Sequence, residues 1–395
     1  MRLAFGMLAP TVIAVLLIVM IPVFANFWIS VKPVELADLR AAKALVRERV
    51  SGEVTQAGDQ FNIEFQIRSS SPQEPVFDAV LTDTIPEGLK VVSIDEPCVV
   101  DDSTIRCDLG TLEPRERTRI KGVLEATADY AGAAPRDTEV IVTGRSQNVL
   151  TSLEFTFDNF RRVFDASEFW GVLWVSIVYT IGGTGGALIL GLFAAQLLMT
   201  AFPGRSLLRG LFLFPYVSPV IAVAFTWIFL LDPFSGTVNA ILLNTGVTSG
   251  TINFLGTRGI ALWTVIAFEA WRYFPLAFLF ILARMQSLSA DLNEAAEMDG
   301  ATPFQTFWYI SLPQLIGIIS TLFLLRFIWT FNKFDDIFLL TGGASGTRTL
   351  TVNVYEQAFA LSNLGAGAAV AVVIFFMLAI FVWFYFKFVP KEEGM

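Results

Sequence analysis

The sequence predicts an all-α membrane bundle of six spans, with a β-sandwich inserted between the first and second spans. Three observations support this fold class. The 395-residue chain has a mean hydropathy of +0.61, with 54% apolar and 16% charged residues, whereas a soluble domain needs more charge at its surface. Its apolar residues cluster in runs long enough to cross a bilayer core of about 30 Å. Between the first two runs lies an acidic segment with alternating apolar and polar residues.

Six apolar runs are the candidate spans. They cover residues 3–29, 170–199, 207–231, 260–282, 314–340 and 365–388. The first run is longer than a signal-peptide core and has no clear small-residue cleavage site, so we expect an uncleaved transmembrane helix. Lys and Arg residues are slightly more frequent at the ends that would be cytoplasmic if the N-terminus is inside. This bias predicts cytoplasmic N- and C-termini and places residues 31–165 outside.

Charge is distributed unevenly along the chain. The net charge is −9, and residues 31–165 contain 24 acidic and 16 basic residues, so most of it lies in this segment. No basic patch indicates nucleic-acid binding. The chain has no histidine and two cysteines, which is too few for a structural zinc site, and we expect no metal site. In an oxidising compartment Cys98 and Cys107 can form one disulfide that closes a small loop.

The acidic segment has the pattern of a β-rich domain. A short helix is expected over residues 36–50. Short strands separated by Pro, Gly and Asp turns are expected over residues 61–67, 76–81, 90–94, 118–124 and 139–143. Several short strands at this spacing predict a β-sandwich.

Two short motifs in this segment resemble those of a family of Ig-like extracellular modules. The resemblance rests on the turn from Asp83 to Leu89 (Asp-Thr-Ile-Pro-Glu-Gly-Leu) and on the Cys-Asp-Leu-Gly-Thr-Leu-Glu-Pro segment that starts at Cys107. It covers about residues 53–145 and includes both cysteines. An unrelated β-rich insert is the alternative.

The loop at residues 286–313, between the fourth and fifth spans, predicts a short helix, a break at Gly300, and a second short helix that ends before a proline. Phe304, Phe307 and Trp308 are spaced so that they form one apolar stripe. Such a helix pair presents an amphipathic surface at the membrane.

This loop resembles the EAA loop of the permease subunits of binding-protein-dependent ABC importers. The matching residues are Glu294, Ala295, Ala296, Asp299, Gly300, Ala301, Ile310, Leu312 and Pro313. In that family the loop is the coupling helix, which sits in a groove of the cytoplasmic ATPase, and Glu294 and Gly300 correspond to its Glu and Gly. The resemblance implies a type I importer permease with three regions: a first helix at 1–30, an external segment at 31–154 and a permease core at 155–395.

Flanking segments narrow the resemblance to sugar-type permeases. Residues 155–160, 331–343 and 355–359 are similar to segments of that group, although Ala344-Ser345 stands where many relatives have Gly-Pro. The resemblance implies inner-membrane import of a sugar, possibly an oligosaccharide, by alternating access. It also implies an ATPase dimer, a second permease, a periplasmic solute-binding protein and lipid contact. The Ig-like module would dock the binding protein or brace the second permease, without chemistry of its own.

The chain is not expected to be an enzyme. It has no P-loop sequence, so ATP and Mg would be bound by the partner ATPase and no cofactor by this chain. The alternatives are a membrane-anchored receptor or adhesin that uses the Ig-like domain, a secondary transporter, and an ABC permease for a solute other than a sugar. Six spans and the EAA loop argue against the receptor.

Polar residues inside the spans are candidates for the substrate pathway, because they are costly in a bilayer. Glu269 and Arg272 either pair with each other or line the pathway. Asn332 and Asp335 are candidates for hydrogen bonds to sugar hydroxyls beside Trp329. An ion pair of Lys333 with Asp336 is the structural alternative for this region.

Overall fold

The computed structural model describes residues 2–52, 54, 56–71, 74–165 and 167–388, with no side-chain description for residues 2–6, 290, 291 and 293. Contacts divide the chain into two compact units. One comprises Met1–Arg162 with Gln357–Ala369, and the other Val163–Glu356 with Val370–Met395. The first unit holds the β-strands, and the second holds the spans that pack against one another.

The first unit starts with an apolar helix and continues with eight strands. The helix consists of α1 (Arg2–Ala14), a π-helical segment (Val15–Met20) and α2 (Ile21–Ser30). The strands are β1 (Ala44–Ser51), β2 (Gln60–Ser69), β3 (Val76–Thr84), β4 (Leu89–Ile94), β5 (Cys98–Asp101), β6 (Thr104–Leu112), β7 (Arg117–Ala126) and β8 (Ile141–Arg145). They form two antiparallel four-stranded sheets with the orders β1-β2-β7-β4 and β5-β6-β3-β8.

One hydrophobic core joins the two sheets. Along β2 every second side chain is buried, including Phe65 and Ile67, as expected for a strand with one face toward a core. Leu81 of β3 and Ile105 of β6 are buried in the same cluster from the other sheet. The five predicted strands are present, although the last one starts at Ile141 rather than at residue 139. The predicted β-sandwich after the first helix is therefore confirmed as a two-sheet domain.

The expected helix over residues 36–50 is wrong. A 3₁₀ turn (Leu36–Leu39) is followed by β1, which pairs with β2 over its whole length. Strand β1 alternates between half-buried and exposed residues, but Glu48 lies on its inner side. Because Glu48 is charged although it lies at an inner position, apolar and polar residues do not alternate here in the sequence. The stretch Arg47-Glu48-Arg49 therefore resembles the polar surface of a helix.

Three chain segments meet at the base of the β-domain, within the first unit. The Asn159 side chain donates to the backbone oxygens of Ser30 (2.9 Å) and Lys32 (2.7 Å). The buried Lys32 ammonium lies 4.2 Å from the centroid of the Phe155 ring and also donates to a backbone oxygen of the same segment. The Gly365 amide donates to the Val34 oxygen at 2.9 Å. The end of the first helix, the chain that leaves the sheets and the start of the last helix are thus joined.

The remaining helices contain the other candidate spans. They are α3 (Asp158–Asp165), α4 (Phe169–Leu197), α5 (Arg205–Phe212), α6 (Phe214–Val217), α7 (Val220–Leu230), α8 (Thr237–Asn244), α9 (Ile260–Gln286), α10 (Ala290–Met298), α11 (Pro303–Thr306), α12 (Leu312–Phe331), α13 (Asp335–Thr341), α14 (Leu350–Tyr355) and α15 (Leu364–Phe388). Among the described residues, five helices are long and apolar enough to cross a membrane, or six if one bent pair is counted as a span.

The third predicted span is bent rather than straight. The helices Arg205–Val217 and Val220–Leu230 meet at 94°. Ser218 and Pro219 between them are extended, with ψ of 143° and 129°. Pro219 has no N–H for a helical hydrogen bond, and the residue before a proline is disfavoured in the α conformation. The proline pattern therefore breaks the span.

The fifth predicted span, residues 314–340, is also not one helix. Helix α12 ends at Phe331, and α13 starts at Asp335. Asp335 and Asp336 occupy the first turn of α13, where negative charge is stabilised by the helix dipole. In the loop before α12, the second short helix does not end before Pro313. Helix α11 continues through a π-helical turn (Phe307–Ser311) into α12, because a proline is tolerated in the first turn of a helix.

Glycines allow α4 to approach α9 closely. A Cβ atom at Gly191 would lie 2.6 Å from the Ala277 Cβ, and one at Gly183 would lie 2.6 Å from the Glu269 Cγ. Close backbone approach favours helix association in a bilayer. The polar residues of α9 are therefore held against α4 inside the helical unit.

Candidate functional site

The loop between α9 and α12 has a sharp turn at Gly300. This residue has a φ of 78°, and no heavy atom lies within 4 Å of the position of a Cβ. The Ala301 amide donates to the Ala296 oxygen at 2.9 Å, which closes the end of α10. The left-handed conformation costs residues with a side chain roughly 1–2 kcal/mol. Glycine is therefore favoured here because of its backbone angle and not because space is lacking.

Thr302 and Gln305 cap the start of α11. The Thr302 amide donates to Gln305 Oε1 at 2.8 Å, and the Gln305 amide donates to Thr302 Oγ1 at 3.4 Å. This reciprocal pair is a capping box. This capping box was not among the expectations from the sequence, although Thr-Pro-Phe-Gln has the Thr-x-x-Gln spacing with proline at the first helical position.

Three large apolar or aromatic side chains of the loop are exposed. Met298 is 89% exposed, Phe304 71% and Tyr309 79%. Exposed apolar side chains of this size mark surfaces that contact another protein or a membrane. The residues that match the EAA pattern differ in exposure: Ala296 is buried, Ala301, Ile310 and Leu312 are half-buried, and Glu294, Ala295, Asp299, Gly300 and Pro313 are exposed.

Inside the helical unit, Glu269 of α9 is fully buried and forms an ion pair with Arg326 of α12. The same carboxylate accepts a hydrogen bond from the Thr330 hydroxyl at 3.0 Å and from the Tyr179 hydroxyl at 3.2 Å. The Arg326 guanidinium also lies 4.1 Å from the centroid of the Tyr273 ring. A buried carboxylate with this many partners ties α4, α9 and α12 together.

Glu269 and Arg272 do not pair with each other, so that expectation is wrong. The Arg272 guanidinium donates to the backbone oxygens of Ser218 at 3.2 Å and Pro215 at 3.5 Å. These oxygens lie at the bend of the third span, where the helical hydrogen bonds are interrupted. Both side chains thus have protein partners: a neighbouring helix provides the partner of Glu269, and the broken third span provides the backbone oxygens that Arg272 contacts. Arg326 lies 57 residues from Glu269 in the sequence, and Ser218 lies 54 residues from Arg272.

The other pathway candidates surround the break between α12 and α13. Trp329 is 52% exposed. The Asn332 side chain donates to the Ile328 oxygen of its own helix at 2.9 Å. The Lys333 ammonium lies 3.7 Å from the Asp335 carboxylate and 3.5 Å from the buried Asp336 carboxylate. The structural alternative for Lys333 is therefore observed, while Trp329 and Asn332 keep exposed surface.

In the β-domain, Cys98 and Cys107 form a disulfide between directly opposite residues of β5 and β6. Two carboxyl groups at inner positions, the half-buried Glu48 and the buried Asp83, also lie in this domain. Burial, followed by the charge of Asp83, raises the pKa of Glu48 to about 7, against an opposing effect of Arg136. Burial raises the pKa of Asp83 to about 6. Both carboxyl groups therefore hold their protons to a higher pH in the folded domain than carboxyl groups in water do.

Comparison with known proteins identifies the helical region. Residues 187–393 match the family of binding-protein-dependent transport system inner membrane components. The chain belongs to this family. The match includes the EAA-like loop and all of α9 to α15. This inner membrane component is therefore a multi-pass, non-catalytic permease that holds no cofactor of its own and works with an ATPase and a binding protein.

Several curated permeases are similar to this one. The inner membrane ABC transporter permease protein YcjO of Escherichia coli K12 is 34% identical over 54% of this chain and 73% of its own length. The trehalose/maltose permease MalF of Thermococcus litoralis is 33% identical over 58% of this chain and 77% of its own length. The sn-glycerol-3-phosphate permease UgpA of E. coli is 30% identical over 60% of this chain and 80% of its own length.

A solved structure shares the fold. It is the crystal structure of a bacterial alginate ABC transporter in complex with a periplasmic protein bound to an alginate pentasaccharide. One of its chains aligns with a TM-score of 0.54 and 20% identity over 58% of this permease and 81% of that chain. The predicted helical permease fold with an additional two-sheet domain after the first helix is confirmed, and the described residues supply five spans, or the predicted six if the bent pair is one span.

Proposed function

We propose that this permease imports a sugar by alternating access and that the loop at residues 286–313 couples it to an ATPase dimer. The observation that supports the coupling role most directly is the exposed apolar surface of this loop, formed by Met298, Phe304 and Tyr309. An apolar surface of this kind on a short helix pair suits insertion into a groove of another protein. The exposed carboxylates of Glu294 and Asp299 would orient the docked loop, and the turn at Gly300 would set its shape. Ala295, Ala296 and Ala301 would allow close approach, and Ile310, Leu312 and Pro313 would lead into the span.

The arrangement in the membrane follows from the loop. We propose that the N- and C-termini are cytoplasmic, since the loop must reach the ATPase. Residues 31–165 are then periplasmic, where the Cys98–Cys107 disulfide is chemically permitted. A second permease subunit would complete the translocation pathway, and the two-sheet domain would be an Ig-like module between the first helix at 1–30 and the permease core at 155–395.

The substrate class rests on relatives. The MalF relative is named for trehalose and maltose transport, which supports a sugar. We propose that Trp329, Asn332 and Asp335 contact it, since they keep exposed aromatic or polar surface. Glu269 and Arg272 already have protein partners, and we assign them a structural role. A phosphorylated polyol is the second candidate, because the UgpA relative is named for sn-glycerol-3-phosphate.

A pull-down with matched glycine variants tests the coupling role. Gly300→Val places a side chain at a φ of 78°, and Gly246→Val does so at a φ of 72° in a different loop; no heavy atom lies within 4 Å of either Cβ position. A free variant loop relaxes away from this conformation, and restoring the conformation on docking costs roughly 1.4 kcal/mol, which corresponds to about tenfold weaker association. The tagged chain is purified from its native membranes in mild detergent, and the ATPase is quantified by mass spectrometry.

We expect the ATPase with the wild type and with Gly246→Val, and about tenfold less with Gly300→Val. Equal recovery with both variants would refute coupling through this loop. The substrate class is tested separately. The purified transporter is reconstituted in vesicles, and uptake of labelled maltose, trehalose and sn-glycerol-3-phosphate is compared. Uptake of the phosphate ester alone would replace the sugar assignment.

A further inference from the structure

The outer face of the sheet β1-β2-β7-β4 is strongly basic, although the surrounding segment is acidic. Its side chains alternate with those of the core along all four strands. They include seven basic residues and two acidic ones: Arg47, Arg49, Arg68, Lys90, Arg117, Arg119 and Lys121, with Glu64 and Glu125. All seven basic residues are exposed. The rest of residues 31–165 has 22 acidic and nine basic residues, so positive charge is concentrated on this one surface, here called the basic face.

Strand register places six of the basic residues in one compact block. Three rows run across β1, β2 and β7: Arg49–Glu64–Lys121, Arg47–Gln66–Arg119 and Leu45–Arg68–Arg117. Neighbouring strands are about 4.8 Å apart, so Arg68 and Arg117 are direct neighbours, and like charges in such positions destabilise a sheet. The single carboxylate in this block, Glu64, lies 3.8 Å from Arg119. The block is thus an unfavourable arrangement in isolation, which a negatively charged partner would relieve.

We propose that the basic face docks an acidic surface of the periplasmic solute-binding protein. The proposal rests on the periplasmic placement of residues 31–165 under the proposed function. Complementary charge raises the rate of encounter and fixes orientation. Because the remainder of the segment has a net negative charge, it would on balance repel an acidic partner that approached by another side. Charge alone would then select one docking orientation.

The chemistry of the face favours a protein surface that binds transiently over a sugar ligand. Among the described residues at outward positions of the four strands there is no aromatic ring to stack on a sugar. A concavity of about 870 Å³ on this side of the domain is lined by four basic residues, Arg47, Arg49, Lys121 and Arg136, and by three acidic ones, Glu48, Glu64 and Asp95. A contact that consists mainly of exposed charges forms quickly and dissociates readily. A binding protein that delivers solute repeatedly requires that behaviour.

Two charge-reversed variants test the proposal. Arg119→Glu/Lys121→Glu reverses the centre of the basic face. Arg106→Glu/Arg145→Glu makes the same change in charge at exposed positions of the other sheet and is the matched control. The full chain, assembled with its ATPase and second permease in phosphatidylcholine nanodiscs, is immobilised. The probe is the purified solute-binding protein that stimulates ATP hydrolysis by this assembly, and its dissociation constant is measured at low and high salt.

We expect Arg119→Glu/Lys121→Glu to weaken binding at least about tenfold at low salt, and much less at about 0.5 M salt, where exposed charges are screened. The control should stay within about twofold of the wild type. If the reversed variant does not fold, Arg119→Gln/Lys121→Gln replaces it, with a smaller loss expected. Unchanged affinity, or an equal loss in the control, would overturn the proposal.

Two further readouts separate the possible failures. Phosphatidylglycerol and phosphatidylcholine vesicles are tested as alternative partners. If the reversal abolishes binding to phosphatidylglycerol and leaves the affinity for the binding protein unchanged, the face binds lipid and the proposal fails. Basal ATP hydrolysis of the assembly reports the proposed coupling function independently. It should be the same in the wild type and in both variants, because the basic face lies on the β-domain and not on the coupling loop.

Discussion

Glu269 and Arg326 form an ion pair inside the helical unit, and their side chains are 0% and 3% exposed. The pair connects α9 to α12, and Thr330 and Tyr179 complete the hydrogen bonds of the carboxylate. Removal of one partner from a buried pair leaves an uncompensated charge, whereas removal of both does not.

Arg326→Met should therefore destabilise the protein by about 3–5 kcal/mol. The double variant Glu269→Gln/Arg326→Met should recover a large part of this loss, because no charge is left unpaired. Thermal denaturation of the detergent-purified chain measures both. A double variant no more stable than Arg326→Met would contradict the assignment of the pair.

Gly183→Ala tests the close approach of α4 to α9. The new Cβ would lie 2.6 Å from the Glu269 Cγ, so α4 or the carboxylate must shift, at a cost of about 1–3 kcal/mol. Gly185→Ala, two residues along the same helix, is the control, because no heavy atom lies within 4 Å of its Cβ position. We expect a lower melting temperature for Gly183→Ala alone. Equal melting temperatures would show that the helices are not in close contact there.

Thr302→Ala should loosen the start of α11. Loss of the cap costs about 0.5–2 kcal/mol, which corresponds to an increase in local opening of roughly two- to thirtyfold. Hydrogen–deuterium exchange of peptides from residues 300–310 measures it. Thr302→Ser keeps the hydroxyl and should exchange like the wild type. If serine behaves like alanine, the hydroxyl is not the cap.

The stability of the β-domain should decrease as the pH rises from about 5 to about 7.5. The pKa of Glu48 is raised to about 7 and that of Asp83 to about 6. Between the usual carboxyl pKa of about 4 and these values, the folded domain binds more protons than the unfolded chain. Stability from these groups is thus complete at low pH and is lost as the pH passes through the raised pKa values.

Hydrogen–deuterium exchange of β2 and β3, corrected for the intrinsic effect of pH, follows this change. Glu48→Gln removes one of the two groups and should give a weaker dependence on pH. A dependence as steep as in the wild type would show that other groups cause it.

Spans and most strands are predictable from the sequence because they depend on local composition and period. Strand β1 was not, because Glu48 occupies an inner position and interrupts the alternation. The partner of Glu269 was not predictable either. Sequence distance pointed to Arg272 at i+3, while the actual partner lies 57 residues away on another helix. Which buried charges pair depends on how the helices pack against one another, and a local sequence pattern does not contain that information.

The base of the β-domain has a consequence for biosynthesis. The two sheets are complete once residue 145 has been made, but Asn159 must be added before it can bond to Ser30 and Lys32. The amide of Gly365 bonds to Val34 across more than 300 residues of chain, and a Cβ at Gly365 would lie 2.5 Å from the Lys32 oxygen. During most of its synthesis, the nascent chain can therefore have complete sheets while the contacts at the base of the β-domain are still incomplete. A chain truncated before the last helix therefore lacks the Gly365–Val34 hydrogen bond at the base of the β-domain, however well its sheets have folded.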